Sequence, residues 1–406
     1  MRLPLRRMKV TDKIKNITLR LAAVAVFQGV AESEVMKKLT RFLESTGDEV
    51  EKTELYSDFV RSLYAHGCDL GKYILRRLYE DENEYILRLS EKKDVPDCMK
   101  TAVGNELKLF SEISRLAPES LLDFAADKAP LPKFENTGFD YEQEYSKKVD
   151  RLFTDGYGIY SKYFMFNIKD GGIITPLKSA DKISVDDLIG YEGERQKVID
   201  NTKALVEGKP AANILLCGDA GTGKSSTVKA VANLFAPKGV RLIEVQKQQL
   251  MFLPVIMDEI HHNPLKFIIF IDDLSFQKEE TGFGTLKAIL EGSASAKAQN
   301  AVIYATSNRR HLVKESFSDR DGDDIHRSDT IQELTSLSER FGLTIQYSKP
   351  NKPLYLQIVK SLAEKRGLQI DEKELEIKAE AFALRKGGRS ARGARQFVDS
   401  LVSMGL

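Results

Sequence analysis

The chain has 406 residues, more than one hydrophobic core usually holds, so two or three domains are expected. Its 61 Lys and Arg residues nearly balance its 60 Asp and Glu residues, and the net charge of +1 gives no global reason to expect nucleic acid or an anionic membrane as the main partner. The three cysteines, Cys68, Cys98 and Cys217, match neither a zinc-ligand spacing nor a disulfide framework, which favours free thiols in a reducing cytosol.

Near the N-terminus, a basic cluster precedes the apolar run Leu21 to Phe27. This run is short for a signal peptide, and Asp12 and Lys15 separate it from the basic cluster. No stretch approaches the roughly 20 apolar residues that cross a bilayer. We therefore expect a cytoplasmic protein that has no membrane partner.

Helical spacing dominates the first third of the chain, with apolar residues such as Val35, Leu39 and Phe42 on one face. It predicts a helical N-terminal region, assigned to residues 1–130, that forms a bundle or presents a partner groove. Prolines and polar residues then indicate a linker over 131–182. This segment contains a helix and, around Asp170-Gly171-Gly172, a β-hairpin.

From Ile183 onward, short apolar runs alternate with helical segments, which predicts an α/β domain over 183–348. The runs predict a five-stranded parallel sheet with helices on both faces: Asn213 to Cys217, Arg241 to Val245, Phe267 to Ile271, Ala301 to Ala305 and Leu343 to Gln346. Helical spacing returns after Pro350 and Pro353, and a small helical lid is expected over 349–406.

The first of these strands runs into a phosphate-binding loop of the pattern G-x-x-x-x-G-K-[ST], and a helical stretch follows. Glycines in such a loop let backbone N–H groups face phosphate oxygens, while the helix adds its positive end. Lys224 is expected to reach the β- and γ-phosphates of ATP, and Ser225 to ligate Mg²⁺. The candidate nucleotide-binding residues of this loop are Gly218, Asp219, Ala220, Gly221, Thr222, Gly223, Lys224, Ser225 and Ser226.

Two adjacent acids, Asp272 and Asp273, follow the apolar run Phe267 to Ile271. Parallel α/β sheets bind ligands at the carboxyl ends of their strands. Asp272 is the candidate for holding Mg²⁺ through water, and Asp273 for polarising the water that attacks ATP.

With these motifs the chain resembles the AAA+ ATPases over about residues 183 to 400. The resemblance implies that Asn308 is the sensor 1 residue, that Arg340 is an arginine finger and that Arg392 is the sensor 2 arginine of the lid. Arg389 and Arg395 compete with Arg392, and Arg320 and Arg327 compete less strongly with Arg340. The stretch Asp187 to Tyr191 resembles the family's adenine-side box, so Ile189 and Gly190 are expected at the base.

Two departures from the AAA+ pattern bear on the hydrolysis rate and on the kind of work the protein does. Asp273 stands where Glu is usual, a form associated with bacterial replication initiators and helicase loaders, and its shorter arm favours slow hydrolysis. Between Val245 and Asn263 there is no aromatic-apolar-Gly triplet, which argues against a substrate-threading unfoldase. More narrowly, stretches such as Tyr304 to Leu312 resemble a bacterial family of predicted ATP-binding proteins of unknown function.

Two other patterns are not interpreted as metal sites. The acidic cluster of Asp319, Asp321, Asp323 and Asp324 lacks the spacing of a Ca²⁺ loop, and His261-His262 lacks a second pair of zinc ligands. Nucleic-acid binding would rest only on the association with replication proteins, because no aromatic-interleaved basic stripe is present.

The sequence thus predicts an ATPase that assembles as a ring or spiral of identical subunits and loads or remodels an unknown protein or nucleoprotein partner. The alternative is a nucleotide-dependent switch that hardly turns over. A P-loop kinase is a more distant possibility, since nothing in the sequence resembles an acceptor site.

Overall fold

The computed structural model of the chain describes residues 14–122, 131–274, 282–291, 299–308 and 339–404. The chain divides into two compact units, Met1–Lys162 and Tyr163–Leu406. Within the described residues, none of the helices is long and apolar enough to cross a membrane.

The described part of the first unit is mainly helical. Its core contains edge-to-face aromatic pairs, among them Phe27 with Phe110 and Phe59 with Phe134. Asp48, Asp69, Asn83 and Asp140 each cap a helix by accepting a backbone N–H in its first turn. Besides residues 14–22, the helices are Gln28–Ala31, Glu34–Glu44, Glu49–Tyr64, Leu70–Glu80, Glu84–Ser90, Asp97–Ser114, Tyr141–Asp150 and Leu152–Asp155, with 3₁₀ turns at Pro118–Leu121 and Gly158–Ser161.

A seven-stranded sheet forms the centre of the second unit, in the order β2-β1-β4-β5-β6-β3-β7. Among the strands that the structure describes, only β2 is antiparallel to its neighbour, and the other neighbouring strands run parallel. Strands β3 and β5 are almost completely buried, as expected when helices cover both faces of a parallel sheet. The strands are β1 (Met165–Ile168), β2 (Ile174–Pro176), β3 (Ile214–Gly218), β4 (Val240–Val245), β5 (Lys266–Ile271), β6 (Ala301–Ser307) and β7 (Leu343–Tyr347).

The helices of this α/β part include the P-loop helix, which is Lys224–Phe235 and directly follows β3. Its apolar face contributes Val228, Val231 and Phe235 to the sheet core. The other helices are Glu192–Val206, Leu253–His261 and Gly282–Glu291, with 3₁₀ turns at Asp170–Gly172, Val185–Asp187, Ala236–Lys238 and Lys247–Phe252.

Three further helices form the lid: Lys352–Lys365, Glu372–Arg385 and Ala391–Ser403. Asn351, Asp371 and Ser390 cap them, and Tyr355, Val359 and Phe397 lie in a separate small core. The segment before the first lid helix begins at the end of β7, so the lid is attached directly to the edge strand of the sheet.

The predicted fold class is confirmed: the chain has an α/β part with a mainly parallel sheet, a helical N-terminal region and a helical C-terminal lid. The strand number needs correction, because the described residues form seven strands of the sheet rather than five. The hairpin β1–β2 extends the sheet through the parallel pairing of Met165, Phe166 and Asn167 with Leu242, Ile243 and Glu244. Segment 131–182 is therefore divided between the two units. Its helices contribute Tyr141 and Leu152 to the core of the first unit, and its hairpin joins the sheet of the second.

Candidate functional site

A pocket of about 490 Å³ lies at the carboxyl ends of the parallel strands of the second unit. Its walls come from the loop after β3, the ends of β5, β6 and β7, the segment around Gly190 and the lid. Its size is within the range of small-molecule sites. The pocket thus places side chains from distant parts of the sequence around one ligand-sized space.

The loop after β3 owes its shape to three glycines at positive φ: Gly218 at 133°, Gly221 at 76° and Gly223 at 97°. A Cβ on Gly218 would lie 1.9 Å from the carbonyl oxygen of Tyr347, so no larger residue fits there. Gly223 is the N-cap residue of the P-loop helix. Because glycine has no side chain, it does not cap the N–H groups of the first turn. The N–H groups of that turn remain for a ligand, as in an anion-binding helix terminus.

Lys224 is only 5 % exposed, although its side chain lines the pocket. Its Nζ donates to the carbonyl oxygens of Gly218 at 2.9 Å and Asp219 at 2.8 Å, and to Oδ1 of Asn308 at 3.0 Å. Burial lowers the pKa of this ammonium group, and nearby acids, Asp219 first among them, oppose that shift. A partly desolvated cation at the loop is suited to binding a polyphosphate.

A hydroxyl–carboxylate pair lies beside this lysine. Ser225 Oγ donates to Asp272 Oδ1 at 2.6 Å, and the Thr306 hydroxyl donates to the same oxygen at 2.6 Å. Mg²⁺ prefers oxygen ligands and is usually held by one or two carboxylates, substrate phosphates and water. The Ser225 and Asp272 oxygens fit that donor set. Within the described residues, no group of three or more His, Cys, Asp or Glu side chains is arranged to hold a metal ion.

Asp273 and Asn308 form the second polar pair of the pocket. Asn308 Nδ2 donates to Asp273 Oδ1 at 2.7 Å, while the Asp273 N–H donates to Thr306 Oγ1 at 2.9 Å. Asp273 has φ of 54°, an uncommon conformation for a residue other than glycine. Asn308 therefore contacts both Lys224 and Asp273, and it connects the phosphate loop with the acids after β5.

Three lid arginines were candidates for the sensor 2 role, and the structure separates them. Arg392 and Arg395 line the pocket, and the Arg392 N–H donates to the carbonyl oxygen of Gly221 at 3.1 Å. Arg389 instead forms a bidentate pair with Glu380, at 2.8 Å and 2.5 Å. Arg392 and Arg395 therefore remain as candidates at the pocket.

The other predicted nucleotide-binding residues divide between the pocket wall and its support. Lining residues are Ile189, Gly190, Ala220, Gly221, Thr222, Gly223 and Ser226. Gly218 and Asp219 do not line the pocket, and Asp219 connects the loop to the end of β7. Its carboxylate accepts the Lys349 N–H at 3.1 Å, and its backbone N–H donates to the carbonyl oxygen of Tyr347. Sequence reasoning gave no role to Thr306, Arg195 and Tyr347, which also line the pocket.

Arg340 is not part of the pocket wall. Its guanidinium contacts Glu291 Oε1, with Nε at 2.6 Å and Nη2 at 2.5 Å. Its competitors Arg320 and Arg327 lie outside the described residues, as do Asp319, Asp321, Asp323 and Asp324.

The solved structures that are similar to this chain include three variants of RuvB from Thermotoga maritima. Their sequence identities to the chain are 17%, 17% and 18%, and their TM-scores are 0.38, 0.38 and 0.37. The matches cover 54%, 55% and 55% of this chain, and 64%, 65% and 65% of those proteins, so the chain spans slightly less than two thirds of their length. No curated protein sequence matches the chain.

A family model described as "Protein of unknown function (DUF815)" matches residues 161–404, which include the whole sheet, the pocket and the lid. This match covers more than half of the chain. The chain therefore belongs to the family described as "Protein of unknown function (DUF815)".

Proposed function

We propose that this protein is an AAA+ ATPase that binds ATP with Mg²⁺ in the pocket and hydrolyses it slowly. One observation carries this proposal: a single pocket contains Lys224, the acids Asp272 and Asp273, Asn308 and Arg392. These are the parts that phosphoryl transfer requires, namely a cation at the phosphates, a metal-holding acid and groups that orient the attacking water.

In the bound state, the N–H groups of the loop and of the P-loop helix bind the phosphates, and Lys224 faces the β- and γ-phosphates. Ser225 and Asp272 would hold Mg²⁺, and the ion would supply positive charge next to the phosphate oxygens. Lys224 exchanges some of its three oxygen partners for phosphate oxygens, which costs little because both sets accept hydrogen bonds. Arg392 contributes from the lid, close to Gly221.

Hydrolysis then needs a water molecule beside the γ-phosphate. Asp273 accepts a proton from this water, and Asn308 keeps the carboxylate in place through its 2.7 Å hydrogen bond. Asp has a shorter side chain than Glu, so the water must approach the strand end more closely. This geometry supports slow turnover.

Arg340 acts on the nucleotide of a neighbouring subunit in this proposal. It lies outside the pocket of its own chain, and Glu291 holds its guanidinium. An arginine supplied across subunits requires head-to-tail assembly, which closes into a ring or continues as a spiral. The assembly acts in the cytoplasm on a protein or nucleoprotein partner. Movement of the lid during the ATP cycle changes the affinity of the assembly for that partner.

The second candidate function is a switch in which ATP binding recruits a partner and turnover is negligible. It is favoured by the state of Asp273, whose carboxylate is already engaged by Asn308 and whose backbone has a strained φ.

Steady-state ATPase measurements over a range of protein concentrations test the proposal. We expect a slow rate per subunit that rises with concentration, and a further rise with the correct partner. In Asp273→Asn, nucleotide binding should persist while turnover stops, and this trapped form is the bait for isolating the partner. A rate that stays at background under every condition would favour the switch, and loss of binding in Asp273→Asn would remove its role as base.

A further inference from the structure

A short connector, residues 348–351, links the end of β7 to the first lid helix. Two hydrogen bonds hold this connector from the α/β part. The Tyr191 hydroxyl donates to the carbonyl oxygen of Ser348 at 2.6 Å, and the Asp219 carboxylate accepts the backbone N–H of Lys349 at 3.1 Å. Because Asp219 belongs to the phosphate loop, the second bond joins that loop to the base of the lid.

The backbone of Asp219 is also fixed to the end of β7. Its N–H donates to the carbonyl oxygen of Tyr347, the last residue of that strand, at 3.2 Å. The preceding residue, Gly218, lies so close to the same oxygen that a Cβ there would be 1.9 Å from it. The N–H and the carboxylate of Asp219 are therefore bound to Tyr347 and Lys349, and little room remains for the loop to move away from the connector.

The carbonyl oxygen of Asp219 contacts the lysine that is proposed to bind phosphate. It accepts Lys224 Nζ at 2.8 Å and the Thr222 hydroxyl at 2.9 Å. Lys224 lines the pocket, whereas Asp219 does not. A phosphate that changes the partners of Lys224 therefore acts on a residue whose other polar groups hold the lid connector.

We propose that Asp219 is a positioning residue that couples the phosphate loop to the base of the lid, so that phosphate binding restrains the connector 348–351 and the first lid helix. Asp219 needs no contact with the nucleotide for this role. The inference rests on the proposed nucleotide site and identifies one route from that site to the lid. A separate contact, from the Arg392 N–H to the Gly221 carbonyl oxygen at 3.1 Å, leads to the last lid helix, Ala391–Ser403. The two routes thus end at different helices.

Hydrogen exchange of backbone amides in the full chain, with and without saturating inorganic tripolyphosphate and Mg²⁺, tests this coupling. Tripolyphosphate has no base and no ribose, so the changes that it causes begin at the phosphates. In the wild type, exchange of the Lys349 amide and of the first lid helix should slow by about 5-fold, the equivalent of about one hydrogen bond. In Asp219→Ala this slowing should be lost, while any slowing in the last lid helix persists.

Asp219→Asn is the matched variant, because its side-chain oxygen still accepts the Lys349 N–H, and it should restore the slowing. Asparagine lacks the charge that opposes the lowering of the Lys224 pKa by burial, so all comparisons are made at saturation rather than at one ligand concentration. Lys349→Ala keeps the backbone N–H and should behave as the wild type. If Asp219→Ala does not fold, Asp219→Leu replaces it, since leucine is similar in size to asparagine but accepts no hydrogen bond.

Three results would overturn the coupling role while leaving the proposed ATP site intact. These are equal slowing in Asp219→Ala and the wild type, failure of Asp219→Asn to restore the slowing, and tripolyphosphate binding to the wild type without a change at the connector. Complete loss of tripolyphosphate binding in folded Asp219→Ala would assign Asp219 to binding itself and would also exclude the role. If the wild type binds neither MgATP nor tripolyphosphate, the proposed function fails and the coupling fails with it.

Discussion

Asn308 donates from Nδ2 to Asp273 Oδ1 at 2.7 Å, which joins the end of β6 to the end of β5. The same side-chain amide accepts from Lys224 at 3.0 Å. One amide therefore contacts the residue proposed to bind phosphate and the residue proposed to activate water. Its removal should separate nucleotide binding from turnover.

Asn308→Ala should leave ATP affinity nearly intact and slow hydrolysis by roughly 10²- to 10³-fold, the typical loss for one transition-state hydrogen-bond donor. Calorimetry with ATP and ADP, together with single-turnover hydrolysis, checks this expectation. Equal weakening of ATP and ADP would instead assign Asn308 a structural role.

Thr306→Val should impair the metal-dependent part of binding. The Thr306 hydroxyl donates to Asp272 and accepts the Asp273 N–H, so valine leaves that N–H without its partner and loosens the Asp272 carboxylate. We expect the gain in ATP affinity on adding Mg²⁺ to fall by about 10-fold. Thr306→Ser keeps the hydroxyl and is the matched control. The same Mg²⁺ dependence in both variants would exclude this role.

Gly218→Ala should destabilise the second unit, because the added Cβ meets the Tyr347 carbonyl oxygen at 1.9 Å and φ is 133°. We expect the free energy of unfolding to fall by more than about 2 kcal/mol in denaturant titration. Gly208→Ala is the control, since φ is 69° there and its Cβ would meet nothing within 4 Å. It should cost only about 1–2 kcal/mol. Equal losses would mean that the loop adjusts to the extra atom.

Arg340→Ala and Lys224→Ala should each be almost inactive as ATPases, yet a mixture of the two should recover part of the activity. Some interfaces in the mixture pair an intact P-loop with an intact arginine, which related systems show to be worth roughly 10³ to 10⁵ in rate. The control mixes Lys224→Ala with the double variant, which provides no intact P-loop. A mixture that stays inactive although both variants co-assemble would refute action across subunits.

The strands of the α/β part and the loop motif could be predicted from local sequence patterns. The loop from Gly218 to Ser225 and the acids after β5 could be predicted because each depends on a short stretch of sequence whose strand and helix context is also local. The predicted strands agree with β3 to β7 to within one or two residues at each end. Their nucleotide-binding and catalytic roles stay predictions.

Features that depend on contacts between distant parts of the chain could not be predicted from local patterns. The hairpin β1–β2 has the local pattern of an independent element, and its alignment with β4 depends on Met165 meeting Leu242, which no short stretch reveals. The lid arginines have similar neighbours in sequence, and it is the tertiary structure that distinguishes them: Arg389 pairs with Glu380, whereas Arg392 and Arg395 line the pocket. Thr306 was missed because a threonine in a buried strand is ordinarily a packing residue. Its position beside the strand that carries the acids was the available signal.

Calorimetric titration of MgATP into the wild-type protein and into Lys224→Ala measures directly whether this pocket is the ATP site. We expect saturable binding to the wild type and no detectable binding to Lys224→Ala, because the variant lacks the cation that faces the β- and γ-phosphates. Thermal unfolding of the two ligand-free proteins verifies that the fold is retained. Equal MgATP affinity in the two folded proteins would contradict the assignment of this pocket as the ATP site.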